Sequence, residues 1–193
     1  MISVSLDNQV RDLIMRFKQV FDTHEAHLKS FCNHGVQLEG WLKGEFLSFL
    51  DQQKAQGIIA SFDREEKVSR DKRKKVDFKI GLITDTGTKY VWIELKHWLI
   101  GYQGGVRYDA SFYFSDPTSV GISQDAKKLT NVPDEGRYIL ILGTANPGED
   151  KWQKGVAKFN EKFAPINIET LIQPKGFPAY YCIGLVKVSE LVR

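Results

Sequence analysis

From Asp7 to Cys32, apolar residues recur at Val10, Leu13, Ile14, Phe17, Phe21, Leu28 and Phe31, the spacing of one helix face. Gly35 in "CNHG" marks the stop. A second helical stripe runs through Leu38, Trp41, Leu42, Phe46 and Phe49, in a helix expected from about Leu38 to Lys54. The period then changes. "GIIASFDREEKV" reads as a strand fading into a charged loop, and "KKVDFKIGLI" alternates cleanly. "TDTGT" is a turn, and "KYVWIELK" is the next strand. Residues 97–118 are aromatic and glycine-rich without a period. "GISQDAKKLTNV" predicts a short helix closed by Pro133, and "RYILILGTA" a buried strand. Residues 150–163 are expected to be helical, and "AYYCIGLVKV" forms a last strand.

The turn position tests the strand pair. If the loop is centred on Asp85 and Thr86, Ile80 faces Val91, Phe78 faces Ile93 and Val76 faces Leu95. Six apolar side chains then share one face. The other face pairs Lys79 with Trp92 and Asp77 with Glu94, and sets Lys96 opposite Lys75. A slip of one residue scrambles both faces. The register therefore gathers Asp77, Glu94 and Lys96 on one patch, with cross-strand Cβ atoms about 5 Å apart. Two carboxylates that close repel unless a cation lies between them.

Asp77, followed on the next strand by Glu94-Leu95-Lys96, resembles the PD-(D/E)xK motif of restriction-endonuclease-like nucleases. Val76 stands where that motif often has proline. The resemblance covers residues 38–143 as an α-β-β-β-α-β order of elements. It implies an α/β fold with a restriction-endonuclease-like core and a mixed central sheet flanked by helices. Residues 1–35 would be an N-terminal helical extension, and 144–193 a C-terminal helix and strand, all within one domain. It also implies a Mg²⁺-dependent nuclease, with Mn²⁺ able to substitute and DNA favoured over RNA as substrate. Asp77, Glu94 and the Leu95 carbonyl would hold the metal, and Lys96 would act on the attacking water or the phosphorane charge. Glu45, a carboxylate inside the apolar stripe of the second helix, matches a glutamate that such nucleases often carry there, completing the metal shell. Products would carry 5′-phosphate and 3′-hydroxyl ends. A surface ion pair between Glu94 and Lys96 is the plain structural alternative.

Charge adds to this picture by its distribution. The net value over 193 residues is only +3, but "KVSRDKRKK" carries Lys67, Arg70, Lys72, Arg73, Lys74 and Lys75 directly before the strand of Asp77. A cationic loop at the mouth of an acidic site would neutralise phosphates. Lys127 and Lys128, on the helix after the aromatic segment, are further candidates for nucleic-acid contact by the same resemblance. Gly40 and Gly44, one turn apart, suggest close approach by a strand backbone or by nucleic acid.

Other features exclude more than they assign. Trp98, Tyr102, Tyr108, Phe112 and Tyr113 fit base stacking, but fit core packing or a homodimer interface better. His24, His27, Cys32 and His34 match no zinc spacing. Cys32 and Cys182 read as free thiols in a reducing compartment. With no secretory pattern and no apolar stretch of spanning length, a cytoplasmic location and no membrane partner are expected. Two other classes share the pattern: a non-catalytic nucleic-acid-binding protein and an assembly protein of the same fold.

Overall fold

The computed structural model describes residues 5–68, 71–99, 113, 122–133, 136–144, 154, 157, 166–170 and 181–188. Arg70, most of the aromatic segment and most of the expected helix at 150–163 lie outside them, as do the side chains of Lys72, Arg73 and Cys182.

Three helices come first: α1 (Leu6–Thr23), α2 (Glu25–His34) and α3 (Glu39–Ala55). The periodicity predicts one helix where the chain makes two. The Thr23 hydroxyl donates to the Val20 carbonyl at 2.7 Å, and the His24 N–H turns to the Phe21 carbonyl. The local hydrogen bonds of a Thr–His step thus end α1, although the apolar stripe runs on through Leu28. Gly35 closes α2 in the left-handed conformation at φ 63°.

The strands are β1 (Ile59–Val68), β2 (Asp71–Thr84), β3 (Gly87–Leu99), β4 (Gly136–Thr144), β5 (Ile166–Thr170) and β6 (Tyr181–Val188), with α4 (Ile122–Leu129) between β3 and β4. They form a mixed sheet in the order β1-β2-β3-β4-β6-β5. Of these described strands, only β3 and β4 pair in parallel, as a strand–helix–strand crossover requires. The fold is α/β, with helices packed against a mixed sheet. No helix among the described residues is long and apolar enough to cross a membrane.

The central strands are buried on both faces. One core joins Phe78, Ile80, Val91, Ile93 and Leu95 to Val10, Phe17, Phe21 and Leu28 of the first two helices and to Leu42, Phe46 and Phe49 of α3. Each such side chain contributes on the order of 1.5–3 kcal/mol by leaving water. Helices α1 and α2 thus share this core with the sheet. A second core packs Trp92, Trp98, Ile139, Ile141 and Val186 under Ile122, Ala126 and Leu129 of α4. Trp98 stacks on Tyr113 at 5.0 Å between centroids, so the described aromatics of that segment pack a core.

The turn is where the register argument places it. Thr84 pairs with Gly87 around Asp85 and Thr86, Ile80 with Val91, Lys79 with Trp92, and Phe78 with Ile93. Val76 departs from expectation, since it belongs to the second core rather than sharing a face with Phe78. The change of face coincides with Glu65, which lies opposite Asp77 in the β1–β2 ladder at φ 54°, a left-handed conformation rare for a non-glycine residue. The expected basic loop is likewise different. Lys67 and Lys75 are paired residues of the β1–β2 ribbon, so the cationic run rides on a strand arm.

Candidate active site

The β2–β3 ladder stops at Phe78 and Ile93, one residue short of the acidic pair. From there, side chains replace backbone bonds. The Leu95 N–H donates to Asp77 Oδ2 at 2.9 Å, and the Asp77 N–H lies 3.4 Å from Glu94 Oε2. The strands part into a fork, with each carboxylate crossing to the neighbouring strand's backbone. Lys96 and Lys75, expected opposite each other, lie beyond the ladder and take separate acidic partners, Asp125 and Glu65.

Lysines from two helices close on the fork. Lys43 of α3 reaches Asp77 Oδ1 at 2.9 Å and Glu39 Oε1 at 2.9 Å. Lys128 of α4 reaches Glu94 Oε1 at 2.6 Å and Asp125 Oδ1 at 3.2 Å, while Lys96 reaches Asp125 Oδ2 at 3.1 Å. The result is a network of four carboxyl groups and three ammonium groups.

The electrostatics follow from burial and crowding. Burial raises the Glu94 carboxyl to about 7, with help from the charges of Asp77 and Asp125, while Lys128 opposes the rise. Burial works against the ammoniums of Lys96 and Lys43, but their acidic neighbours outweigh it. Asp125, Glu39 and Glu94 hold Lys96 above its ordinary pKa, and hydrogen bonds to Asp77 and Glu39 do the same for Lys43. Lys96 is therefore a fixed positive charge beside a carboxyl poised near neutrality.

The residues expected at this site divide into two groups. Asp77, Glu94, Lys96 and Lys128 come together. Glu45 does not join them, because its Oε2 faces His24 Nε2 at 3.6 Å. Two residues along a helix is about 200° of arc, so a helix that turns Lys43 to Asp77 turns Glu45 away. The α3 carboxylate that acts on the site is Glu39, close enough to favour the charge on Lys96. Glu39, Lys43 and Asp125 were not expected here. Glu39 and Lys43 form an i,i+4 pair in the favourable Glu-before-Lys order, and Asp125 and Lys128 an i,i+3 pair, so helical spacing carried their signal. Among the cationic residues of the arm and of α4, Lys67, Lys74 and Lys127 are exposed, and Lys75 bonds Glu65 at 2.9 Å.

Beside Asp77 lies a hollow of roughly 180 Å³, bordered by Gly40, Lys43, Gly44, Arg64 and Glu65 among others. Among the described residues no other backbone approaches the two glycines, since a Cβ added at either would meet nothing within 4 Å. Their missing side chains open space next to Lys43.

His97 fastens the arrangement. Its Nδ1 lies 3.1 Å from the N–H of Leu38, the residue before α3, and 2.9 Å from Gln37 Oε1, while its Nε2 lies 3.0 Å from Thr144 Oγ1 on β4. Burial pushes this imidazole down to about 4, against the pull of Glu39. The start of α3, which carries Glu39 and Lys43, is thus tied to the ends of β3 and β4.

As for a metal, no three His, Cys, Asp or Glu residues among the described ones gather as a ligand cluster. Asp77 and Glu94 are hard oxygen donors of the type Mg²⁺ takes, commonly through one or two carboxylates with several waters, and their four oxygens here meet Lys43, Lys128 and the backbone N–H groups of Leu95 and Asp77. No family model, curated protein or solved structure matches this chain.

Proposed function

We propose that this chain is a metal-dependent nuclease that hydrolyses phosphodiester bonds, DNA before RNA. One observation carries the reading. Two carboxylates from adjacent antiparallel strands cross-brace a fork in the sheet, with a charged lysine two residues beyond the second of them. Asp77, Glu94 and the Leu95 carbonyl would hold Mg²⁺. The bound ion would polarise the phosphoryl oxygen and acidify an attacking water. Lys96, kept cationic by Asp125, Glu39 and Glu94, sets a fixed positive charge where negative charge develops on phosphorus. Lys43 and Arg64 border the hollow beside Asp77, a path for the phosphate backbone. Lys67 and Lys74 extend that cationic track along the β1–β2 arm.

A second reading has its own observation. Lys43 and Lys128 already neutralise the two carboxylates, as they would in a nucleic-acid-binding protein that performs no chemistry. Incubation with plasmid, single-stranded DNA and RNA in Mg²⁺, Mn²⁺ or EDTA separates the two. The nuclease reading expects metal-dependent cleavage that Asp77→Ala abolishes. It also expects Lys96→Ala to lose about a hundredfold or more in rate, the scale of one preorganised electrostatic group, while metal binding persists. Binding without cleavage in every metal would favour the second reading.

A further inference from the structure

The fork holds lysines where the proposed function needs a divalent cation, and the two occupants compete for the same oxygens. Lys43 Nζ is 2.9 Å from Asp77 Oδ1, and Lys128 Nζ is 2.6 Å from Glu94 Oε1. With every group ionised, the four carboxylates and three ammoniums leave one negative charge. A divalent cation added to the full network would leave it one positive. A divalent ion at these oxygens would also sit against the two ammoniums that hold them, so its binding is favoured when an ammonium withdraws or an anion arrives. One phosphodiester carries the charge that restores neutrality.

The geometry gives Lys43 somewhere to go. It borders the hollow beside Asp77 together with Arg64, and the flanking Gly40 and Gly44 leave that side open. A lysine ammonium is a compact point charge on a flexible four-carbon stem, so it can change partner without moving the helix that carries it. Lys128 stands on α4 at the other side of the fork and shares its charge between Glu94 and Asp125. Its withdrawal from Glu94 would leave it paired with Asp125.

We propose that Lys43 and Lys128 are exchangeable counter-ions, holding the Asp77 and Glu94 carboxylates in the free protein and passing to phosphodiester oxygens when nucleic acid enters. This rests on the nuclease reading and adds regulation to it. Divalent cation and nucleic acid each become a condition for the other's tight binding, and the coupling must be equal in both directions. The free protein then carries a site closed by its own side chains.

The test is Mn²⁺ binding, followed by the loss of the free-ion paramagnetic resonance signal. The proteins are the full chain and its Lys43→Met, Lys128→Met and Asp77→Ala variants. Each is titrated alone, with a short single-stranded oligonucleotide, and with the uncharged methylphosphonate form of the same sequence. Blanks of oligonucleotide alone are subtracted. The unsubstituted chain should bind Mn²⁺ at least about fivefold more tightly with the phosphodiester oligonucleotide, the lower end of ordinary coupling between sites, and no more tightly with the methylphosphonate. Each Lys→Met variant should bind Mn²⁺ alone more tightly by a similar factor and gain less from the oligonucleotide. The oligonucleotide arm needs no substitution, so it stands even if a variant folds poorly. If Mn²⁺ binds equally with and without oligonucleotide, unaffected by either Lys→Met change but lost in Asp77→Ala, the exchange is wrong and the nuclease reading survives. If no form binds Mn²⁺ above the Asp77→Ala level under any condition, both are wrong.

Discussion

Glu94 and His97 lie three residues apart on β3 and are perturbed in opposite senses. Glu94 is raised to about 7 from 4.5, so the folded protein binds its proton more readily than the unfolded chain. Its contribution to stability is full below pH 4.5 and is lost as pH rises through 7. His97 is lowered to about 4 from 6.5, so folding disfavours its proton. Its contribution is full above pH 6.5 and is lost as pH falls through 4. Each amounts to about 3 kcal/mol at most, and between pH 4.5 and 6.5 the two slopes nearly cancel. Glu94→Gln should therefore unmask a stability that climbs with pH across that window, and His97→Asn one that falls. Urea unfolding at a series of pH values reads both. A flat Glu94→Gln curve would mean that His97 titrates at its ordinary value. Strand alternation made Asp77, Glu94 and Lys96 legible in the sequence, because a turn of two residues fixes which side chains meet. It could not reveal that His97 would clasp Leu38, since that bond joins residues 59 positions apart through the packing of α3.

At the level of the element, α3 shows a conflict between stability and opening. Gly40 and Gly44 are exposed in a helix interior, where glycine costs about 1 kcal/mol relative to alanine. A methyl at either meets nothing within 4 Å. Gly44→Ala should therefore raise the melting temperature by about 2–4 °C, while narrowing the hollow beside Lys43 and weakening nucleic-acid binding. Gly136 behaves oppositely. A Cβ there would come 2.6 Å from Val91 Cγ1 and 3.0 Å from the Tyr90 carbonyl, at the first rung of the parallel β3–β4 pair. Gly136→Ala should cost about 1–3 kcal/mol, the usual range for overpacking, and thermal unfolding of the two variants should move in opposite directions. Much of this architecture was legible, because periods of two and of three to four residues separate strands from helices. The break at His24 was not, since the apolar stripe continues across it and the interruption lies in local hydrogen bonds of Thr23 and His24. Nor was the aim of Glu45, because an apolar stripe states which face is buried and not which neighbour lies beyond its edge. For Glu45 that neighbour is His24, at the α1–α2 junction.

Across the whole molecule, the β1–β2 ribbon carries exposed Lys67 and Lys74 out from the fork. If they meet phosphates, Lys67→Ala combined with Lys74→Ala should lower the log–log salt slope of duplex DNA binding by about 2, roughly 0.9 for each phosphate no longer neutralised. An unchanged slope, read from affinities at several salt concentrations, would make the arm a solvated surface. Cleavage of bound substrate should survive in the same double variant, since the Asp77 and Glu94 carboxylates are held by Lys43, Lys128 and backbone N–H groups. The polar ties of α1 have a different reach. The Tyr138 hydroxyl donates to Asp7, the Tyr181 hydroxyl donates to Asp22 at 3.0 Å, and Lys187 pairs with Asp7 at 2.6 Å. Helix α1 is thus fastened to β6, 159 residues behind it on the ribosome. At about 5–20 residues per second, Asp22 waits some 8–30 s for Tyr181 to be synthesised. Until β2 and β3 are made, Phe17 and Phe21 have only helices to cover them, and Phe21 lacks Tyr181, 6.0 Å away between ring centroids, until the end of that interval. The nascent chain is therefore a natural client for a holding chaperone, and slowing its translation should lengthen its exposure to aggregation rather than help it fold.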